Sequence, residues 1–185
     1  MQRIEANIPF KAPPTWALWE RSLIDLMNES VHPFWEKYIN ADGSLIFRDD
    51  FRSIDGLDDA YESLYNWPLF YALGGDDALL PLSLQAWNGI TRQFTGYGLV
   101  HNEYEQGYDW FHQGEGYLYF YFFGLADPTN TQNIDRARRF AGLYMNEDPN
   151  APNYDEQLKL IRCAHNGSRG PAFHQIGSGA YGASE

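Results

Sequence analysis

From Thr15 onward, Trp16, Trp19, Leu23, Leu26 and Met27 recur at the three- and four-residue spacing of one helix face, with polar residues between them. Thr15, after Pro13 and Pro14, is the expected N-cap. Pro33 is expected to interrupt or end this helix, while Phe34, Trp35 and Tyr38 continue its aromatic face. Asn40-Ala41-Asp42-Gly43 signals a turn into a short extended stretch over 44–47. From Gly56 to Leu73 the pattern is helical again, with Leu57, Ala60, Tyr61, Leu64, Tyr65, Pro68, Leu69 and Tyr71 apolar around most of the circumference. A helix of that kind is expected to be buried on both sides. Gly74-Gly75 should stop it, and Asp76 can cap the next helix, which carries Leu79, Leu82, Leu84, Ala86, Trp87 and Ile90. Pro81 falls in the first turn of that helix, where a missing N–H costs little.

The same phrase returns about fifty residues later, a period expected of helical repeats. Tyr117 to Ala126 forms a second aromatic-rich helix, Asp127-Pro128 a turn, and Ile134, Ala137, Phe140, Ala141 and Tyr144 a one-sided outer helix. Laying Phe70 to Leu73 over Phe122 to Leu125 aligns both turns and both following helices. Each unit pairs a helix apolar all round with a one-sided helix, which predicts inner and outer rings: a mainly α fold of helical hairpins forming an (α/α) toroid. Six such hairpins need well over ~300 residues. Residues 1–185 are therefore expected to form a single domain that is an incomplete barrel, the partial or N-terminal portion of a longer one. The tail 177–185, poor in large apolar residues, fits a truncation point or a flexible end.

Charge narrows the function. With 25 acidic and 13 basic residues the formal charge is −12, which repels a phosphate backbone. The densest basic group, Arg136, Arg138 and Arg139, is expected on a solvated helix face, so no nucleic-acid partner is expected. An aromatic content of 17% excludes an acidic disordered tail. Cys163 is the only cysteine, which removes intrachain disulfides and cysteine-rich metal sites. No apolar run approaches the ~20 residues of a membrane helix, and the first ten residues lack a secretory apolar core. The expectation is a soluble chain without membrane contact or cofactor. It is either cytoplasmic or exported with the signal absent from this chain; composition does not fix the oligomeric state.

In a two-ring barrel the loops entering the inner helices gather on one face. One entry segment, Arg52 to Glu62, carries Asp58, Asp59 and Glu62; the other, His101 to Gly116, carries His101, Tyr104, Tyr108, Asp109, Trp110, His112 and Glu115. Acids in a first helical turn also serve as caps or oppose the helix dipole, the structural reading of Asp58 and Asp59. Glu62 and Glu115 lie a turn or so inside helices expected to be buried, where a glutamate is either functional or paired with an arginine such as Arg48, Arg52 or Arg92. Asp109, His112 and Glu115 recur at intervals of three and suit acid/base work, with Trp110 and Tyr108 as flat faces for a sugar ring. The structural alternative makes Trp110 and Phe111 a plug and His112 a cap. His101, His112 and the nearby acids lack the spacing of a helix-borne metal pair, so no metal is assigned. Asn166 and Arg169, in the turn Arg162 to Pro171, can grip a carboxylate or simply shape a loop.

The run Asp58 to Glu62 leading into Trp67 to Asp76, with the later Asp109 to His112 before Gly114-Glu115-Gly116, resembles the six-hairpin glycosidase-like superfamily, the α/α-toroid glycoside hydrolases and polysaccharide lyases. The resemblance, spanning roughly Thr15 to Pro171, implies an oligosaccharide or polysaccharide substrate, with uronic-acid-containing glycans foremost. Hydrolysis would pair Asp109 or Glu115 with Asp59 or Glu62. β-Elimination would use Tyr104 or His112 as base, with Asn166 and Arg169 neutralising the uronate. A glycan-binding or scaffold domain without catalysis is the third reading.

Overall fold

The computed structural model describes residues 11–46, 56–97, 100–101, 103–105, 114–150 and 152–161. Within them the chain is mainly helical: α1 (Thr15–Tyr38), α2 (Gly56–Glu62), α3 (Trp67–Ala72), α4 (Leu79–Gly96), α5 (Leu118–Ala126) and α6 (Thr131–Leu143). Two antiparallel pairs of two-residue strands complete it, β1 (Val100–His101) with β2 (Tyr104–Glu105), and β3 (Tyr154–Asp155) with β4 (Leu160–Ile161).

Three local expectations change. Pro14, with extended backbone, is the N-cap of α1, so Thr15 is already its first helical residue. Pro33 does not end α1. The helix continues to Tyr38 because Phe34 and Trp35 pack on Trp67, with ring centroids 5.8 and 6.3 Å apart, and that packing outweighs one lost backbone hydrogen bond. The expected single helix over 56–73 breaks instead into α2 and α3. Pro68 has no N–H to give the Leu64 carbonyl, so the chain closes a tight turn, with Trp67 N–H on Leu64 O at 3.0 Å, and restarts with the proline in the first turn of α3.

The turn after α1 is docked on α4. Ile39 and Leu45 form an antiparallel bridge. Gln93 clamps Leu45, accepting from its N–H and donating to its carbonyl at 3.0 Å each. Gln85 donates to Ala41 O at 2.7 Å, and Arg92 reaches both the carbonyl and the carboxylate of Asp42. Gly43 has φ +86°, and a Cβ there would fall on the Gln85 carbonyl; one on Gly89 would fall on the Gly43 backbone. Two facing glycines let loop and helix backbones touch.

Further on, Gly74, at φ +100°, ends α3, and Asp76 receives the Ala78 N–H at 2.7 Å before α4 begins. α3 and α5 lie against each other, α4 packs on α3 and α2, and α6 packs on α5. α3 with α4, and α5 with α6, are thus two helical hairpins. The core between them is a column of rings: Trp87 stacks on Tyr119 at 4.9 Å and on Phe123 at 5.1 Å, and Tyr61 meets Tyr119 edge-on at 5.2 Å. α3 and α5 are not covered on both sides as expected: Leu73, beside α3, and Tyr121 and Leu125 on α5 are exposed. Asn130 caps α6 by accepting the Asn133 N–H at 3.2 Å.

Candidate functional site

α2 presents chemistry on two sides. Inward, Tyr61 is buried, its hydroxyl 2.5 Å from that of Thr91. Burial first, then the negative charge of Glu103, pushes the Tyr61 hydroxyl well above its usual range. Glu103 is itself buried, its side chain 3% exposed, in the turn between β1 and β2 with a left-handed backbone at φ 56°. It receives Arg136 Nε at 2.8 Å and Arg139 Nη2 at 2.9 Å. The Arg136 guanidinium also bonds Asn88 and lies 4.0 Å over the Trp87 ring. Burial pulls Arg136 below the usual guanidinium range, and the Glu103 charge opposes that. Arg136 is therefore not on a solvated face; its side chain is 9% exposed, against 46% for Arg139 and 78% for Arg138.

Outward, Glu62 is exposed, contrary to the buried position expected for it, because α2 ends there rather than continuing as a covered helix. Its neighbour Tyr65 is half-buried and its hydroxyl is held above the usual range, by burial first and then by the charges of Glu62 and Glu115. Glu115 is half-buried in the helical residues 114–116, which lie over α2: a Cβ on Gly116 would stand 3.5 Å from the Tyr61 ring. Of the sequence candidates, Glu62 and Glu115 are the two whose charges act on the Tyr65 hydroxyl. Asp59 is exposed on α2. His101 and Tyr104 face each other across the β1–β2 pair as backbone partners. Tyr108, Asp109, Trp110, His112, Asn166 and Arg169 lie outside the described residues, as do Arg48 and Arg52.

Beside Glu62 a cavity of about 240 Å³ opens between α1, α2 and α3. Phe34, Trp67 and Phe70 give it aromatic walls, and Ser30, Ser63 and Asn66 supply hydrogen-bonding groups. Glu62 is the only charged side chain among the described residues lining it. No three of His, Cys, Asp and Glu converge on a metal-holding arrangement among the described residues. None of the described helices is long and apolar enough to cross a membrane.

Glu103 lies outside the residues expected from sequence, and Arg136 departs from the solvated position expected for it. A helical-face test would have found the latter, since Asn133, Arg136 and Phe140 follow i, i+3, i+7 on the buried side of α6.

Fold and site define a mainly helical protein of aromatic-cored hairpins carrying one glutamate, Glu62, at the wall of an aromatic-lined cavity. The chain belongs to the DUF8034 family, described as a domain of unknown function, whose model matches residues 3–184. No curated protein and no solved structure matches it.

Proposed function

We propose that this chain is a carbohydrate-active domain that hydrolyses glycosides with Glu62 and Glu115 as its acid/base pair, in hairpins of α/α-toroid type. The observation that carries the reading is Glu62 at the wall of the aromatic-lined cavity, and the charges of Glu62 and Glu115 both acting on the Tyr65 hydroxyl support the pairing. Flat aromatic faces bind the apolar faces of a pyranose, while Ser30, Ser63 and Asn66 suit its hydroxyls. One glutamate would protonate the departing glycosidic oxygen, and the other would activate water or attack the anomeric carbon. Tyr65 fits the role of a neutral hydrogen-bond donor to one of them, because its raised pKa keeps the phenol protonated. That favours hydrolysis over elimination at this cluster; the elimination reading would fall to Tyr104 and His112. A cavity whose described wall carries no cation suits a neutral ring, and a uronate would need an arginine such as Arg169.

The toroid reading draws support from the bare inner faces at Leu73, Tyr121 and Leu125, which further hairpins of a ring would cover.

The test follows reducing ends and absorbance near 235 nm together, across neutral and uronic-acid polysaccharides and aryl glycosides. Reducing ends alone are expected. Glu62→Gln and Glu115→Gln should each lower kcat by roughly 10²-fold or more while leaving the helical circular dichroism intact. A panel without turnover, or glutamine variants at full rate, would overturn the assignment.

A further inference from the structure

The face of α1 that begins at Trp16 continues through Ser30 and Phe34 to the C-terminal end of the helix, and its two halves meet different fates. Val31 is buried, and Phe34 and Trp35 pack against the aromatic core. Along the N-terminal half the same face is bare: Trp16 is 67% exposed, Trp19 71%, Leu23 56%, Leu26 63% and Met27 41%. Its opposite side carries Arg21 and Asp25, paired at 2.8 Å, with one exposed leucine, Leu18, among the polar residues. Two tryptophans and three aliphatic side chains in one stripe expose on the order of 600 Å² of apolar surface, at the top of what a monomer's surface usually shows.

We propose that this stripe pairs with the same stripe of a second copy, the two α1 helices running antiparallel about a two-fold axis. The area favours this occupant. With the flanking polar side chains included, the stripe approaches the roughly 800 Å² per partner of a specific interface. The size gradient favours the antiparallel direction. Both tryptophans stand at the N-terminal end and the slimmer Leu26 and Met27 at the other, so antiparallel pairing sets large against small twice over, whereas parallel pairing sets indole against indole. A two-fold interface must be self-complementary in this way. In that register Trp16 of one copy lies against Met27 of the other, at the edge of the cavity that Met27 also lines.

The pairing is independent of the saccharide reading and is tested without activity. Light scattering on size-exclusion eluates of the full chain, over a hundredfold concentration range, should show a dimer that dissociates on dilution. Trp19→Glu with Leu23→Glu should shift it to monomer at all concentrations with unchanged helical dichroism. In a Cys163→Ser background, Trp16→Cys with Met27→Cys should form a disulfide-linked dimer under oxidation. The two cysteines are eleven residues apart on one helix, about 16 Å, and cannot join within a chain. A wild-type chain that stays monomeric throughout overturns the proposal, as does a dimer that the glutamate variant leaves intact or one the cysteine pair fails to cross-link.

Discussion

Glu103 holds two guanidinium groups from inside the protein, and this arrangement fixes what its loss must do. Glu103→Ala strands the Arg136 charge between Trp87 and Asn88, and urea unfolding should show a loss of about 3–5 kcal/mol. Glu103→Leu combined with Arg136→Met removes both buried charges and should recover much of that loss; a double variant as unstable as the single one would contradict the account. Asp42 is the exposed counterpart. Hydrogen bonds from the Ser44 hydroxyl and N–H, and then Arg92, draw its pKa down to about 2. Its folded value lies below its unfolded one, so its contribution is present above about pH 4 and is lost as pH falls towards 2. Being exposed, it should be small: Asp42→Asn should flatten the acid limb of the stability profile and alter little at pH 7. At this scale the sequence was readable where periodicity spoke and unreadable where a long-range partner decided. Arg136 shares a face with Phe140, but only the fold brings Glu103, in the β1–β2 turn, to it.

The docking of the 40–45 turn on α4 belongs to the elements. Gly89→Ala puts a methyl group into the Gly43 backbone, which no rotamer change relieves. It should cost roughly 2–4 kcal/mol, read as a lowered urea midpoint with unchanged slope. Gly96→Ala, where nothing lies within 4 Å, should be neutral or slightly stabilising, as expected for glycine replaced at the end of a helix. Helix existence was legible from apolar spacing and glycine stops. Boundaries were less so, because proline acts differently by context. Pro33 is carried through a helix by the packing of Phe34 and Trp35, whereas Pro68 starts a new one. The exposure of Glu62 follows from that second break.

For the whole molecule, the ring column makes stability sensitive to alkali. Burial raises the pKa of Tyr61, Tyr119 and Tyr144 above that of an unfolded tyrosine. Stability is fully present below about pH 10 and falls as pH rises past that value, because the unfolded chain ionises first. Exposed tyrosines such as Tyr38 and Tyr121 add tyrosinate absorbance near 295 nm while the chain stays folded, whereas the last part of the rise should coincide with loss of helical dichroism; complete ionisation of all thirteen tyrosines with the helical signal intact would contradict the burial. The pair of hairpins was legible as a repeat of phrase. The two glutamates were legible only as two of several acids, because no sequence spacing links Glu62 or Glu115 to the Tyr65 hydroxyl on which both charges act. Trp87 stacked on Tyr119 and Phe123 beneath a guanidinium, and Trp16 and Trp19 bare on the single chain, give the dissociated protein two sets of chromophores in opposite surroundings. The stacked set should dominate the near-ultraviolet dichroism, and the bare set the long-wavelength edge of the fluorescence. Events in the core and on the first helix would then be separable by colour, without a label.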